Sequence, residues 1–301
     1  MYAEIYAEDA APWVKTLRSL GFTIGTPTRP TAPGRQDRIT VPAWGGGAGI
    51  LVSVPDRPGP ARGWLDYHGD GVAEVAIPST GKCAACGSAP AHPPGTSVRL
   101  FDVKHVFVDQ REIIATPGEY TALDHVAIVV YDLATAEASY RNAFGAEWEP
   151  MDPIVIGSES MNLGVARIPG LTVTVVAPSS PQGQLRDFLK LHNGPGVQHV
   201  AFRVPDIAQH VAATLEAGYL PAPFSYYNLL ARRKPLPADF ADLSGLGILY
   251  DRDHDGELRQ IFTTSPVPPV FFEVVQRDGA AGFGKANITA LYEAKMAEGG
   301  S

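Results

Sequence analysis

The chain has 301 residues, of which 45% are hydrophobic and 19% are charged, the composition of a globular protein with one large or two medium-sized domains. Its formal net charge of −8 excludes a general nucleic-acid binder, which needs a basic face. No apolar run approaches the ~20 residues that span a bilayer, the N-terminus lacks the features of a signal peptide, and two cysteines form no disulfide framework. We therefore expect a cytoplasmic protein with no membrane or nucleic-acid partner.

A unit of one strand, one helix and several short strands recurs along the chain. Each first strand ends in an aspartate that can cap the following helix, and each helix ends at a glycine. The three clearest units begin at residues 2–9, 123–132 and 197–206, with caps at Asp9, Asp132 and Asp206 and stops at Gly21, Gly145 and Gly218. Helical spacing places Val211 and Leu215 of the third helix toward the core. The repeat indicates an internal duplication.

A fourth copy begins at residues 71–80 (GVAEVAIPST) but lacks its helix. Residues 81–95 replace the helix, and their glycines and prolines exclude a helix of normal length. Strand character returns at residues 98–114. We therefore predict an α+β fold of paired βαβββ modules, with the second module shortened. The predicted pseudosymmetric domains are residues 1–116 and residues 121–301, each curving its sheet around a cavity.

Three otherwise apolar strands each carry one residue that can bind a metal. His125 lies in LDHVAIVV, His199 in VQHVAF and Glu273 in VFFEVV, and each is 74 residues from the next. A carboxylate buried among Val and Phe is costly unless it is paired or bound to a metal. Two histidines and one carboxylate form the facial triad of non-haem Fe(II) oxygenases, which leaves three metal positions open. Zn²⁺ in a hydrolase is the competing interpretation, because zinc binds the same donors.

Longer motifs surround these residues. The second half carries LDHVAI, GPGVQHVAF, SYYNLL, LYDRDHDGELRQIFT and FFEVVQRDGAAGFGKANITALYEA, and the first half carries YAEIYAED and YHGDGVAEVAI. In these motifs the chain resembles the 4-hydroxyphenylpyruvate dioxygenase and 4-hydroxymandelate synthase family of the vicinal-oxygen-chelate superfamily. The resemblance covers most of the chain except residues 81–95. It implies a cavity inside the half-barrel of the C-terminal domain, where Fe(II), O2 and a 2-oxo acid react without a separate 2-oxoglutarate.

The resemblance also implies roles for individual residues. His125, His199 and Glu273 match the iron ligands. Residues that match the lining of the substrate pocket are Gln184, Gln198, Gln260, Phe262 and Phe283, together with Asn287 on a C-terminal helix that covers the cavity. Thr174 and Ile288 match the synthases, whereas the dioxygenases carry Pro and Phe there. A smaller Ile would let the benzylic carbon approach the oxidant, so we expect 4-hydroxyphenylpyruvate to give 4-hydroxymandelate and CO2 rather than homogentisate.

One departure from the family pattern leaves the substrate open. Leu163 stands where the family usually has a Ser, and the loss of a hydroxyl changes which ring a pocket prefers. Another aryl-pyruvate or an aliphatic 2-oxo acid is therefore an alternative substrate, and homogentisate is an alternative product. A non-catalytic binding protein of the same superfamily is a further alternative, although such a protein needs no metal triad. The helix missing from the first domain leaves an exposed edge that favours a homodimer.

Two further clusters are predicted to be structural. Cys83 and Cys86 form a single CxxC motif, which supplies too few ligands for zinc, so we expect an exposed loop. Glu4, Glu74 and His105 are placed by the repeat at the positions of the three candidate ligands. We expect this second cluster to be a vestigial site that is hydrogen-bonded internally.

Overall fold

The computed structural model describes residues 1–79, 92–109, 118–168, 170–232, 236–284 and 287–288. Three features predicted above lie wholly or largely outside these ranges, namely the loop with Cys83 and Cys86, the domain boundary near residue 116 and the C-terminal helix beyond residue 288. Within the described ranges, the helices are all too short or too polar to cross a bilayer.

The described residues of the first half form one sheet and two helices. Its strands are β1 (Tyr2–Tyr6), β2 (Thr23–Ile24), β3 (Arg38–Trp44), β4 (Gly49–Pro55), β5 (Gly71–Pro78), β6 (Ser97–Leu100) and β7 (Val103–Val108), and its helices are α1 (Ala11–Ser19) and α2 (Pro60–His68). The spatial order is β2, β3, β4, β1, β5, β7 and β6. Strand β1 pairs in parallel with β4 and antiparallel with β5, so the two modules of this half join at β1 and β5.

The second half forms a larger sheet of the same design. Its strands are β8 (Ala122–Val129), β9 (Glu147–Ile156), β10 (Glu159–Ile168), β11 (Leu171–Pro178), β12 (Gly196–Arg203), β13 (Tyr219–Leu220), β14 (Leu249–Arg252), β15 (Glu257–Thr263) and β16 (Phe271–Asp278). Its helices are α3 (Leu133–Phe144), α4 (Gln184–Leu191), α5 (Ile207–Ala213), α6 (Phe224–Leu230) and α7 (Phe240–Leu246). The order is β13, β15, β16, β12, β8, β11, β10 and β9, with β14 also on β15. The predicted α+β fold with two related sheets is confirmed.

The helix ends follow the sequence signals in the second half more closely than in the first. Asp132 and Asp206 cap α3 and α5, and each carboxylate accepts a backbone N–H from three residues later, at 2.7 and 2.9 Å. The predicted cap Asp9 is wrong, because α1 begins at Ala11 with Ala10 in the cap position. The Asp9 carboxylate instead accepts the N–H of Ala11 in the turn before the helix.

Two other features differ from the sequence prediction. Helices α2, α4, α6 and α7 were not predicted, although Pro60 provides a helix-start signal for α2. Leu215 was predicted to face the core but is 62% exposed. Helix α5 ends at Ala213, and a 3-10 turn at Leu215–Ala217 changes the direction of the side chains, so that Ala217 is buried instead.

The two sheets share one buried apolar cluster. Tyr120 lies where they meet: its hydroxyl donates to the carbonyl of Leu20 at 2.7 Å, and its ring stacks on Phe22 with 4.6 Å between centroids. The same ring contacts Phe202 of β12 at 5.3 Å. Tyr120 is therefore in contact with both halves of the chain. That residues 1–116 and 121–301 are separate domains stays a prediction.

Candidate metal centre

The three candidate ligands lie on three neighbouring strands of the second sheet. His125 is on β8, His199 on the central strand β12 and Glu273 on β16. Ala201 of β12 pairs with His125 on one side and with Glu273 on the other. His199 is two residues before Ala201 and therefore shares its face of the sheet. The strand register thus brings together three residues that are far apart in sequence.

A β-bulge precedes each histidine. The pairing of β8 with β12 skips Asp124 on one strand and Gln198 on the other. At each bulge, two residues of one strand oppose a single residue of the partner strand. This turns the side chain of the skipped residue toward that of the following histidine. The Asp124 carboxylate accepts a hydrogen bond from Nδ1 of His125 at 2.9 Å, and the Gln198 amide oxygen accepts one from Nδ1 of His199 at 3.3 Å. Both pairs leave Nε2 as the nitrogen that can bind a metal.

The three ligand atoms are spaced as one metal ion requires. Nε2 of His125 and Nε2 of His199 lie 3.3 and 3.2 Å from the same carboxylate oxygen of Glu273. Donors bound at about 2.1 Å to one metal lie roughly 3.0 to 3.4 Å apart. Glu273 is 3% exposed, and within the part of the chain that the structure describes no Lys or Arg pairs with it. A buried carboxylate without a fixed cation, beside two oriented imidazoles, fits a divalent metal.

The charges of these groups stabilise one another before any metal binds. Burial alone raises the pKa of Glu273, but the charge of His125 and hydrogen bonds from both histidines lower it to about 2. Burial alone lowers the pKa of His125, but the charge of Glu273 and the hydrogen bond with Asp124 raise it to about 9. Burial lowers the pKa of His199 below its ordinary value. The centre therefore keeps an anionic carboxylate at neutral pH.

The ligands lie at a cavity of about 210 Å³. Its polar lining comprises His125, Thr174, Gln184, Gln198, His199, Gln260 and Glu273, and its apolar lining comprises Met151, Met161, Leu163, Val176, Leu185, Leu220, Phe262, Phe271, Phe283 and Ile288. The structure thus brings all but one of the residues predicted for the site to one cavity. Sequence reasoning missed Met151, Met161, Leu185, Leu220 and Phe271. Of these, Phe271 was detectable, because it lies two residues before Glu273 and on the same face of β16.

Asn287 is the exception and lies behind the cavity wall. The hydroxyl of Tyr226 donates to its amide oxygen at 2.8 Å, and its amide nitrogen donates to the amide oxygen of Gln260 at 3.4 Å. Gly284, with φ of +71°, passes so close to Gln260 that a Cβ there would lie 2.2 Å from that oxygen. Asn287 and Gly284 therefore orient Gln260, and Asn287 is not among the cavity-lining residues.

Aromatic rings surround the candidate ligands. The ring of Phe271 stacks on His199 with 5.0 Å between centroids, and the ring of Phe262 meets His199 edge-on at 6.0 Å. The ring of Phe283 meets His125 edge-on at 5.2 Å. These rings cover part of the centre with apolar surface, which strengthens the electrostatic interactions within it.

The far end of the cavity is formed by a row of apolar side chains. Leu163 of β10 pairs directly with Met151 of β9 and with Val176 of β11. On β11, Thr172 pairs with His125. Val176 lies four residues further along the same strand, roughly 13 Å from Thr172. Ile288 packs against the same cluster. A ligand with one end at the metal therefore directs its other end toward an apolar wall.

The predicted second cluster in the first half is occupied by a guanidinium group. Arg38 is 1% exposed and donates to the carboxylate of Glu4 at 2.9 Å and to that of Glu74 at 3.3 Å. Arg35 and Lys104 also pair with these carboxylates. These side chains neutralise the two carboxylates, which a metal ion would otherwise have to do. The cluster is therefore hydrogen-bonded internally, as expected.

The predicted membership of His105 in that cluster is wrong. Strand β7 pairs Lys104 with Glu74 and His105 with Val75, so His105 lies on the opposite face. Its ring contacts Phe144 of α3, with 5.1 Å between centroids. The reason is a one-residue offset, which moves a strand side chain to the other side of its sheet.

The chain is similar to a described protein family and to a solved structure. Residues 124–231 match the family described as the Glyoxalase/Bleomycin resistance protein/Dioxygenase superfamily. A triply substituted 4-hydroxymandelate synthase from Streptomyces coelicolor superimposes with a TM-score of 0.82 at 31% identity, over 99% of this chain and 98% of that one.

Two curated relatives match less than half of the chain each. Hemolysin VllY from Vibrio vulnificus is 38% identical over 128 residues, which are 41% of this chain. A probable 4-hydroxyphenylpyruvate dioxygenase 2 from Aspergillus fumigatus is 37% identical over 157 residues, which are 49% of this chain. The chain spans only 36% and 37% of the length of these two relatives.

Proposed function

The chain belongs to the 4-hydroxyphenylpyruvate dioxygenase and 4-hydroxymandelate synthase family, and we propose that it is an Fe(II)-dependent oxygenase that oxidatively decarboxylates an aryl-pyruvate. The observation that carries the proposal is the convergence of His125, His199 and Glu273 on one point at the wall of an apolar cavity. Two neutral imidazoles and one carboxylate leave a bound Fe(II) with one net positive charge and three open positions. A binding protein that does no chemistry has no need of that arrangement.

Each part of the site has a task in this reaction. When bound, Fe(II) supplies the activation of O2 and holds the oxygens of the 2-oxo acid. His125, His199 and Glu273 hold the ion, while Asp124 and Gln198 keep both Nε2 atoms directed at it. The aromatic rings around the ligands would limit the access of water to a bound metal.

The proposed reaction uses one molecule of O2 for each molecule of substrate. The bond between the carboxylate and the keto carbon breaks, and the carboxylate leaves as CO2. One oxygen atom converts the keto carbon to a new carboxylate, and the other becomes the hydroxyl on the benzylic carbon. The oxidative decarboxylation and the benzylic hydroxylation each remove two electrons from the substrate. O2 therefore accepts four electrons in total, and no other reductant is needed. With 4-hydroxyphenylpyruvate, the product is 4-hydroxymandelate.

Ile288 and Thr174 support oxidation at the benzylic carbon. Both line the cavity, and Ile288 packs against the apolar cluster at its far end. A Phe in place of Ile288 would occupy more of that space and hold the substrate ring in another place. A displacement of ~1 Å is enough to redirect a reaction in a preorganised site. Homogentisate is the alternative product, and these two residues carry the choice between the two products.

The row of Met151, Leu163 and Val176 favours a second candidate substrate. A phenol hydroxyl that reaches this row would lose its hydrogen bonds to water without gaining a partner from these three side chains. Phenylpyruvate carries no such hydroxyl. It is therefore the aryl-pyruvate to compare first with 4-hydroxyphenylpyruvate.

Anaerobic reconstitution with Fe(II), followed by a 2-oxo acid and O2, tests the proposal. We expect CO2 release in equal amount to substrate, with 4-hydroxymandelate from 4-hydroxyphenylpyruvate and mandelate from phenylpyruvate. Homogentisate as the product would refute benzylic hydroxylation, and the absence of CO2 from both substrates would refute the oxygenase. The His199→Ala variant should lose turnover, and retained activity would contradict the metal assignment.

A further inference from the structure

Asp124 lies directly behind the candidate ligand His125 and is held by two arginines. Its side chain is 2% exposed. Arg277 donates from Nε and Nη2 to the two oxygens of the Asp124 carboxylate, both at 2.9 Å. Arg203 donates to the same carboxylate from Nε at 2.8 Å and from Nη2 at 2.6 Å. Paired, charge-assisted hydrogen bonds of this kind fix the orientation of the carboxylate, and through it that of His125.

Arg277 also holds the turn that brings Phe283 to the cavity. Its Nη1 donates to the carbonyls of Ala280 and Gly282, at 3.2 and 2.5 Å. Its guanidinium carbon lies 4.9 Å from the centroid of the Phe283 ring, which in turn meets His125 edge-on. One guanidinium therefore contacts the support of a metal ligand, the backbone of the turn and the ring that the turn carries.

We propose that Asp124 and Arg277 are positioning residues that couple metal binding at His125 to the placement of Phe283 over the cavity. The proposal rests on the proposed function only in requiring that the centre binds a divalent metal. Asp124 keeps the proton of His125 on Nδ1 and aims Nε2 at the ion. Because binding equilibria are reciprocal, whatever holds the turn in place strengthens metal binding, and a bound metal holds the turn in place.

Arg203 provides a matched control for Arg277. Both arginines donate to the same carboxylate, so removing either takes one positive charge from Asp124. The Arg203 side chain is 43% exposed, and among the described residues its hydrogen bonds go to Asp124 alone. Arg277 alone of the two reaches the turn. A larger loss in Arg277→Gln than in Arg203→Gln therefore includes the contact with the turn, which the double-mutant cycle below isolates.

Anaerobic titration of the full chain with Co²⁺, followed by its visible absorption, tests the proposal without any substrate. We expect Asp124→Asn and Arg277→Gln to weaken Co²⁺ binding by about 10- to 100-fold, as loss of a ligand's hydrogen-bond partner does. Arg203→Gln should weaken binding clearly less than Arg277→Gln, because Arg203 donates to only one oxygen of Asp124 and does not reach the turn, and His199→Ala should lose binding. In proton NMR spectra of the Co²⁺-bound chain, the hyperfine-shifted proton on Nδ1 of His125 should move further in Asp124→Asn than in Arg203→Gln, because only the first variant changes the group that accepts this proton.

A double-mutant cycle separates the coupling from simple support of His125. Phe283→Leu and Arg277→Gln should weaken Co²⁺ binding non-additively, whereas Phe283→Leu and Arg203→Gln should be additive. If Asp124→Asn fails to fold, Arg277→Lys provides a second test of the same contact. Lys keeps the positive charge, but its ammonium group cannot donate to the carboxylate and to both carbonyls at the same time. Unchanged binding in both Arg277 variants, or equal losses from Arg203→Gln and Arg277→Gln, would overturn the proposal. The Co²⁺ titration needs no 2-oxo acid. Its outcome therefore does not depend on whether the chain catalyses the proposed oxygenase reaction.

Discussion

The orientation of single side chains decides what the candidate centre can bind. A histidine in an apolar strand is an ordinary core residue unless one nitrogen is held and the other is left available. Here Asp124 and Gln198 hold Nδ1 of the two histidines, and both Nε2 atoms face one oxygen of Glu273. The two histidines and the glutamate supply atoms that can bind a metal. The hydrogen bonds to Nδ1 determine that Nε2 is the nitrogen that faces the metal position.

Replacement of Ile288 tests which carbon is oxidised. We expect Ile288→Phe to raise the ratio of homogentisate to 4-hydroxymandelate by about tenfold or more, because the added bulk holds the ring near the oxidant; tenfold corresponds to about 1.4 kcal/mol in relative barrier height. Chromatographic analysis of products from 4-hydroxyphenylpyruvate measures the ratio. Ile288→Leu conserves volume and should leave the ratio unchanged. The same product ratio in the Phe variant would remove Ile288 from the argument.

Leu163 tests which ring the cavity prefers. We expect Leu163→Ser to raise kcat/KM for 4-hydroxyphenylpyruvate relative to phenylpyruvate by about tenfold, because a hydroxyl would give the phenol a hydrogen-bond partner at the apolar end. Steady-state kinetics with both substrates measures the change. Leu163→Ala opens space without adding a hydroxyl. If the Ala and Ser variants shift the preference equally, the cause is volume rather than hydrogen bonding.

At the scale of whole elements, β-bulges and helix caps place these residues. The bulges at Asp124 and Gln198 bring each preceding side chain toward its histidine. The equivalent irregularity in the first sheet skips Ala73, just before Glu74, where a methyl group has nothing to orient. The alternation of apolar residues predicts the strands but not a shift of one residue in their pairing, because that shift depends on the partner strand.

The cap of α3 has a measurable energetic contribution. We expect Asp132→Ala to lower the free energy of unfolding by about 1 kcal/mol, because the N–H of Thr135 loses its acceptor. Urea denaturation followed by circular dichroism measures the change. Asp132→Asn keeps an acceptor oxygen and should retain most of the stability. Equal losses in both variants would mean that charge, rather than the capping hydrogen bond, is responsible.

At the scale of the whole molecule, buried histidines lie where the two halves meet. His105 of β7 packs against Tyr140 and Phe144 of α3. His68, at the end of α2, stacks on His192, at the end of α4, with 4.6 Å between centroids. Burial lowers the pKa of His105 and of His192 to about 4. Burial therefore favours the neutral form of the His105 and His192 rings.

The resulting pH dependence can be measured. The unfolded chain takes up a proton at His105 below about pH 6.5, whereas the folded chain resists protonation until about pH 4. Stability is therefore lost as the pH falls from about 6.5 to 4, by roughly 3 kcal/mol for this residue. We expect His105→Phe to flatten the decrease in the free energy of unfolding across this window, as measured by urea denaturation at several pH values. His254→Gln, an exposed control, should leave the profile unchanged, and an equal slope in both variants would refute the role of His105.

The sequence by itself determined the α+β class, the strands that carry His125, His199 and Glu273, and the caps at Asp132 and Asp206. Each follows from local periodicity, from capping chemistry or from a resemblance that spans whole motifs. Only the tertiary structure decided the rest: the support of His125 by Asp124 and Arg277, the place of Asn287 behind Gln260, and the separation of His105 from Glu4 and Glu74. These depend on strand register and on contacts between distant segments, such as Asp124 with Arg277. A shift of one residue reverses the direction of a side chain without changing the local pattern, so periodicity alone cannot reveal it.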